Sequence, residues 1–474
     1  MITDLAASIA TLRQQAPWLC APELQACLVG SAALAMACQA RGVPGPRVVD
    51  LDIAWTLTPD QAVALLARHG SDATATPAAR ARGTVGATVA GQRIEFTTFR
   101  RDHGLAGTAA GKEPFFRGAN VAESVAVDVR SRDMTIGALY YELGPGRVHD
   151  PMHGAEDWQH RLIRACGAFE DRVREHPVRL LRYFRRAAEL GFELHPHIRH
   201  GATALTELCA RETPPEALAD EFRKVLLRSD SPGLFFLFLS EARALRGLFH
   251  ELAAQFDGRP AGPARYHPEL HQGLHLVLAL KLAAERTRAR NLPESDRLAV
   301  LLAVLCHDPG KGQSPPQFWP RHHGHEARGV HVVERFLDTM PSLADAACRR
   351  LVLAVAELHG VARELRQLKA STLVVLWEEW FRRNDFRPDL FALAVGCDLD
   401  GRLPPETIGL PAPAPSQIEQ EIRETIARVH RLCLSVDAEA IKAECKGNME
   451  RFQALLHEHR VRMLKRMDFF YGQA

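Results

Sequence analysis

Along the first 150 residues the apolar positions switch between a helical period and a strand period. Thr3–Ala16 has helical spacing that Pro17 ends, and Ala26–Val29 is a short apolar strand that stops at Gly30-Ser31. Ala32–Ala40 follows as a small-residue helix, and the Gly- and Pro-rich loop 41–47 leads to a strand at Val48–Ile53. Thr58 opens a helix through His69, with Pro59 at its first position. Thr84–Val89 and Arg93–Thr98 read as strands around the turn Ala90-Gly91-Gln92. Arg132-Asp133 starts an expected helix to about Leu143, which Gly144-Pro145-Gly146 ends. From about residue 151 the strand signals fade and helical periodicity takes over. The expected fold class is α+β: a small N-terminal sheet with helices, then an all-helical remainder.

Within this pattern Asp50 and Asp52 stand one residue apart in an apolar run. On a strand, i and i+2 share a face, so both carboxylates project together while Val49, Leu51 and Ile53 face the other way. Adjacent like charges need a cation between them, and a divalent metal with oxygen ligands is a common answer; a strand end with solvated acids is the plain alternative. Gly30-Ser31, between strand and helix, could aim backbone N–H groups at a phosphate, or be an ordinary tight turn. Glu95, between Ile94 and Phe96, is either a third ligand or an outward-facing acid.

In the helical remainder, Arg172–Arg186 holds six arginines and one acid, Glu175. Arg179, Arg182 and Arg186 line one helix face opposite Leu181, Phe184 and Ala188, which predicts a solvated row with phosphate or base contact as the alternative. Residues 257–265, with two Gly and two Pro, read as a linker. Beyond them His275 lies in an apolar helix, and the apolar helix Leu298–Leu305 runs into Cys306-His307-Asp308. Lys311, His325, His359 and Asp398 follow. Imidazoles and carboxylates converging from several helices would make a metal site. A His-Asp dipeptide alone means little, since His149-Asp150 is another; the charged pair at the end of a buried helix is what needs a partner.

Composition narrows the class without naming it. At 474 residues, 46% hydrophobic and 24% charged, the chain is an ordinary globular protein with room for several cores. A net charge of +2 does not announce nucleic-acid binding, so any RNA surface must come from local clustering. Ten scattered cysteines without a C-x-x-C predict a reduced, cytoplasmic location. No signal peptide or membrane span is expected.

Together the motifs resemble the bacterial class II tRNA nucleotidyltransferase and poly(A) polymerase family, specifically its multifunctional CCA-adding members with an HD domain. The resemblance rests on Leu28-Val29-Gly30-Ser31, Asp50-Leu51-Asp52, Glu95–Arg100, Ser131–Ile136 and Glu175–Arg182. It continues through His275, Cys306-His307-Asp308, Gly310-Lys311-Gly312, Arg321–His325 and Gly396–Arg402. Three positions depart from the family pattern: Ala32–Ala35 replaces a segment with an Arg-Asp pair, Gly137 replaces Asn, and His176 replaces the Asp of the base-reading motif. An Asp only accepts hydrogen bonds, whereas neutral His has one donor and one acceptor, which leaves base specificity open.

The resemblance implies a nucleotidyltransferase head at 1–150, a helical neck at 151–256, an HD phosphohydrolase domain at 266–402 and a C-terminal helical region at 403–474. It implies template-independent transfer of CMP and AMP from CTP and ATP to the 3′ end of tRNA. Asp50 and Asp52, with Glu95, would be catalytic and hold Mg2+; Gly30, Ser31, Arg132, Asp133, His176, Arg179 and Arg182 would bind the nucleotide. His275, His307, Asp308 and Asp398 would hold a divalent transition metal, with Lys311, His325 and His359 as accessory groups. The expected partners are tRNA, CTP and ATP, with no membrane; a homodimer is compatible. Alternative readings are a hydrolase with a degenerate RNA-binding head, or a transferase restricted to one nucleotide.

Overall fold

The computed structural model describes residues 2–100, 124–407, 410–411 and 413–466. By its internal contacts the chain divides into two compact units, Met1–Thr213 and Pro214–Ala474. Their secondary structure is the expected α+β mixture, with the main sheet in the first unit and helices throughout the second.

In the first unit, the described residues form one main seven-stranded sheet. Its strands are β1 (Cys27–Leu28), β2 (Leu51–Trp55), β3 (Ala73–Thr74), β4 (Thr84–Val89), β5 (Gln92–Thr98), β6 (Tyr140–Glu142) and β7 (Val148–His149). Their spatial order is β3-β4-β5-β2-β1-β6-β7. Within this sheet only the central β2–β5 pair is parallel, with Asp52 opposite Glu95; a separate parallel pair, Leu162–Ile163 with Glu193–Leu194, corrects the expectation that the stretch after residue 151 is all-helical. Alternation places Leu51, Ile53, Trp55, Ile94 and Phe96 in the core, where Trp55 stacks on Phe96 at 4.5 Å between centroids. Burial of each such side chain is worth roughly 1.5–3 kcal/mol. The opposite face is covered where Ala54 packs with Cys27, Phe99, Ala138 and Tyr140. Asp52 lies two residues before Ala54 on that face.

Helix α1 (Leu5–Gln15) is capped by Asp4, and α3 (Pro59–Arg68) by a reciprocal Thr58–Gln61 capping box. Between them α2 (Gly30–Ala40) buries Ala32, Ala33, Leu34, Ala37 and Cys38. Two local expectations are corrected. The strand starts at Leu51, so Val49 is 64% exposed and Val48 is buried in its stead. The helix expected from Arg132 to Leu143 is instead one short turn, Thr135–Gly137, followed by β6, which pairs with β1. Burial of Tyr140 and Tyr141 in the sheet overrides the local helical pattern.

The second unit packs helices around Gln272–Ala289 and Glu294–Leu305. Val300 through Cys306 are at most 1% exposed, as suits a helix apolar on all sides. Residues 257–265, expected as a linker, are packed: Arg259 donates to the Lys311 carbonyl, and the Ala261 carbonyl accepts from Lys311 Nζ. All ten cysteines are free, and no helix of the described residues is long and apolar enough to cross a membrane.

Candidate active sites

The first unit brings Asp50, Asp52 and Glu95 within electrostatic reach of one another and of Arg132. Gly30 begins α2 with φ +61°, and a Cβ there would sit 3.5 Å from Asp52 Oδ2. The turn therefore brings the helix start beside the carboxylate. Burial pushes Asp52 up to about 6, Asp50 and Glu95 push in the same direction, and Arg132 only partly offsets them. Three acids crowding one half-buried position, short of positive charge, suit a divalent cation held by oxygen ligands. Glu95 is exposed on the face it shares with Asp52.

Arg132 is fixed by a buried acid that the sequence reading missed. Its guanidinium donates to Asp128 Oδ2 at 2.7 and 3.0 Å and lies over the Tyr140 ring. Asp128 is 2% exposed and also accepts from the Tyr140 hydroxyl and the Arg100 backbone N–H. The i, i+4 spacing of Asp128 and Arg132 was the signal available in the sequence. Asp133 accepts from the Met134 N–H, and its own carbonyl accepts from the Tyr183 hydroxyl.

The arginine helix, Arg179–Leu190, is not the solvated row expected from its pattern. Arg179 is 5% exposed; it donates to Glu175 Oε2 at 2.7 Å and to the Ser131 carbonyl at 2.6 Å. Arg185 and Arg186 both pair with Glu189, and Arg182 Nη1 lies 3.9 Å from Asp133. Burial, then Arg179, Arg182, Arg100 and Arg172, push His176 down to about 3, so its ring is neutral at physiological pH.

The second unit assembles a denser centre. His275 comes from Gln272–Ala289, His307 and Asp308 follow Glu294–Leu305, and His325 opens His325–Thr339. His359 lies in Ala346–Ala362 and Asp398 in Pro388–Asp400. Three convergent sets form, His267–Glu269–His275, His275–His307–Asp398 and Asp308–His325–His359. His275 Nε2 is 3.0 Å from Asp398, and His307 Nε2 is 2.9 Å from Asp308 and 3.5 Å from Asp398. His307 Nε2, His325 Nε2, Asp308 Oδ1 and Asp398 Oδ2 are buried without an aligned hydrogen bond, which fits a site built for cations. Burial opposes ionisation of Asp308, but Lys311, His307, His325 and His359 hold it well below the usual carboxylate range. The same opposition holds Asp398 low through His307, Arg402 and His275. Glu269, also missed, accepts from His267 and lies 3.0 Å from His275 Nδ1, a carboxylate–histidine support typical of metal ligands.

Asp308, Lys311, His325 and His359 line a cleft of about 500 Å³. By contrast, Asp150 of the other His-Asp dipeptide accepts from the Gly154 and Ala155 N–H groups at the start of helix Gly154–Gln159 and pairs with Arg41 at 3.6 Å. The buried dipeptide thus differs from the plain one in its surroundings, not its letters.

A family model described as the poly A polymerase head domain matches residues 43–164. The matched stretch contains Asp50, Asp52, Glu95, Arg132 and Asp133. Over nearly its whole length the chain also shares the fold of CCA-adding enzymes. It superposes on the Bacillus stearothermophilus CCA-adding enzyme in complex with CTP with a TM-score of 0.61 at 20% identity, covering 98% of this chain and 93% of that one. A tRNA-processing enzyme in an apo form gives 0.54 at 17%, covering 98% of each chain. A CCA-adding enzyme in its second apo form gives 0.60 at 13%, covering 97% and 95%.

Proposed function

We propose that the head transfers CMP and AMP from CTP and ATP to the 3′ end of tRNA, and that the His/Asp centre of the second unit is a metal-dependent phosphohydrolase. The observation that carries the first part is the crowding of Asp50, Asp52 and Glu95 within the matched head domain, facing Arg132. In this reading Asp50 and Asp52, with Glu95 beside them, hold Mg2+, which neutralises triphosphate charge and lowers the pKa of the attacking hydroxyl. Arg132, clamped by Asp128, presents a fixed positive charge to the phosphates. Gly30, Ser31 and the start of α2 offer backbone N–H groups, and Asp133, His176 and Arg182 line the approach of the base. Arg179 acts by holding the turn at Ser131, since its guanidinium is engaged there.

Purified protein with Mg2+ should label tRNA lacking its 3′ end from both CTP and ATP, and Asp50→Ala should abolish labelling. Incorporation of neither nucleotide by folded protein would overturn the transferase reading. Incorporation of one alone would favour the restricted transferase, which the neutral donor-acceptor ring of His176 supports. For the second unit, His307→Ala should abolish metal-dependent hydrolysis of a phosphomonoester or a 2′,3′-cyclic phosphate. Absence of such hydrolysis in the intact chain would count against that part alone. On this reading the head, neck, hydrolase and C-terminal region follow the boundaries expected at 1–150, 151–256, 266–402 and 403–474.

A further inference from the structure

Large apolar side chains are exposed at nine positions among the described residues, and four of these lie on the two loops that border the second unit's cleft. Tyr266 and Leu270 belong to one loop, Phe318 and Trp319 to the other. The three aromatic members of the exposed group are all here. Tyr266 lines the cleft, while Phe318 and Trp319 lead into its Pro320-Arg321 wall. Bonds between the loops fix the rim. Lys311 Nζ donates to the Ala261 carbonyl at 2.6 Å, and His322 Nε2 lies 2.9 Å from the Pro260 carbonyl oxygen. The Trp319 indole donates to the Ser314 carbonyl, with Arg259 over its ring at 5.5 Å, and Arg265 lies over the Tyr266 ring at 4.4 Å.

Exposed rings gathered at one rim mark a surface that something covers. Arg265 and Arg321, both exposed in the cleft wall, have no acidic partner among the described residues. A small phosphate ester would use the cleft and leave the rings bare. Single-stranded nucleic acid uses both, because bases stack on aromatic faces while guanidinium groups follow the phosphates. A lipid surface would match the rings but not their place at the mouth of a cleft lined by histidines and arginines.

We infer that this cleft takes the phosphorylated, unpaired end of an RNA strand several nucleotides long, an inference that rests on the phosphohydrolase reading of the same centre. The terminal phosphate enters toward the His/Asp centre and the last base stacks on Tyr266. The neighbouring bases reach Phe318 and Trp319, with Arg265 and Arg321 against the backbone phosphates.

The test compares hydrolysis of a mononucleotide and an unstructured octanucleotide carrying the same 3′-phosphate, 2′,3′-cyclic phosphate or 5′-phosphate. The full chain is supplied in turn with Mn2+, Ni2+ and Zn2+, which suit imidazole and carboxylate ligands. The arm that reacts identifies which end is bound. The octanucleotide should have the lower KM, by about tenfold or more. Tyr266→Ala should raise KM roughly fivefold to hundredfold for both substrates, and Phe318→Ala and Trp319→Ala should do so for the octanucleotide alone. Tyr266→Trp, which keeps a stacking face, should retain the low KM, and melting curves verify the fold of each variant. Equal KM for the two lengths, or an octanucleotide KM unmoved by Phe318→Ala and Trp319→Ala, overturns the inference and leaves the hydrolase reading standing. Loss of binding to phosphatidylserine vesicles in these variants, with KM unmoved, overturns it too and assigns the rings to a membrane. No hydrolysis of either length, at any end and with any of the ions, overturns both readings.

Discussion

Asp52→Asn should make the metal-free protein more stable while ending nucleotide transfer. Burial first, then Asp50 and Glu95, lift Asp52 from 3.8 to about 6. At ~1.4 kcal/mol per pKa unit, a difference of about two corresponds to roughly 3 kcal/mol of strain on ionisation; partial solvent contact trims this to roughly 1–2 kcal/mol. The sign follows from proton binding. Between about pH 4 and 6 the folded head keeps a proton that the unfolded chain has released, so stability falls as pH rises through that window. Above it the penalty is complete, and Asn, carrying no charge, avoids it. In EDTA at about pH 7.5 the variant's first unit should melt roughly 3–6 °C higher than wild type. The gap should close toward pH 4, and it should narrow when Mg2+ and CTP are added, because they stabilise only the wild-type carboxylate. Thermal melts read by near-ultraviolet circular dichroism at three pH values measure all of this. A variant equal to or below wild type at pH 7.5 in EDTA would refute the reasoning, as would a gap unchanged by pH.

Asp128→Asn should cost about 3–5 kcal/mol in urea unfolding of the head, since it strands half-buried Arg132 and weakens bonds to Tyr140 and Arg100 from a fully buried position; an unchanged midpoint would show that the clamp contributes nothing. Gly310→Ala places a Cβ 1.9 Å from the His325 carbonyl and 2.6 Å from the Gly329 nitrogen, so the loop bearing His325 must move. Bound transition metal, counted by mass spectrometry, should fall by at least one ion per chain. With His176 pushed down to about 3, the ratio of CTP to ATP use should stay constant from about pH 5 to 8. His176→Asp should change that ratio, and a ratio unmoved by it would remove this residue from base selection.

The sequence by itself determined the periodicities and the chemistry at stake. The strand that carries Asp52, the Gly30-Ser31 junction between strand and helix, and the apolar helix that leads into His307-Asp308 were legible because each is a local pattern of strand, turn or helix. The α+β class followed from the same periods. Local pattern failed where partners come from far along the chain. The segment Arg132–Leu143 has a helical spacing but becomes β6, because β1, more than a hundred residues earlier, offers its tyrosines a sheet to pack in. The arginine row looked solvated; Glu175, Glu189 and the Ser131 carbonyl instead bury or pair its guanidinium groups. Asp128 and Glu269 gave no strong signal, since a lone acid acquires meaning only from the buried cation or imidazole it meets. The gathering of His307, His325 and His359 around Asp308 is likewise a property of converging segments. Carboxylate and imidazole identities are written in the chain, but which oxygen faces which nitrogen is decided by packing.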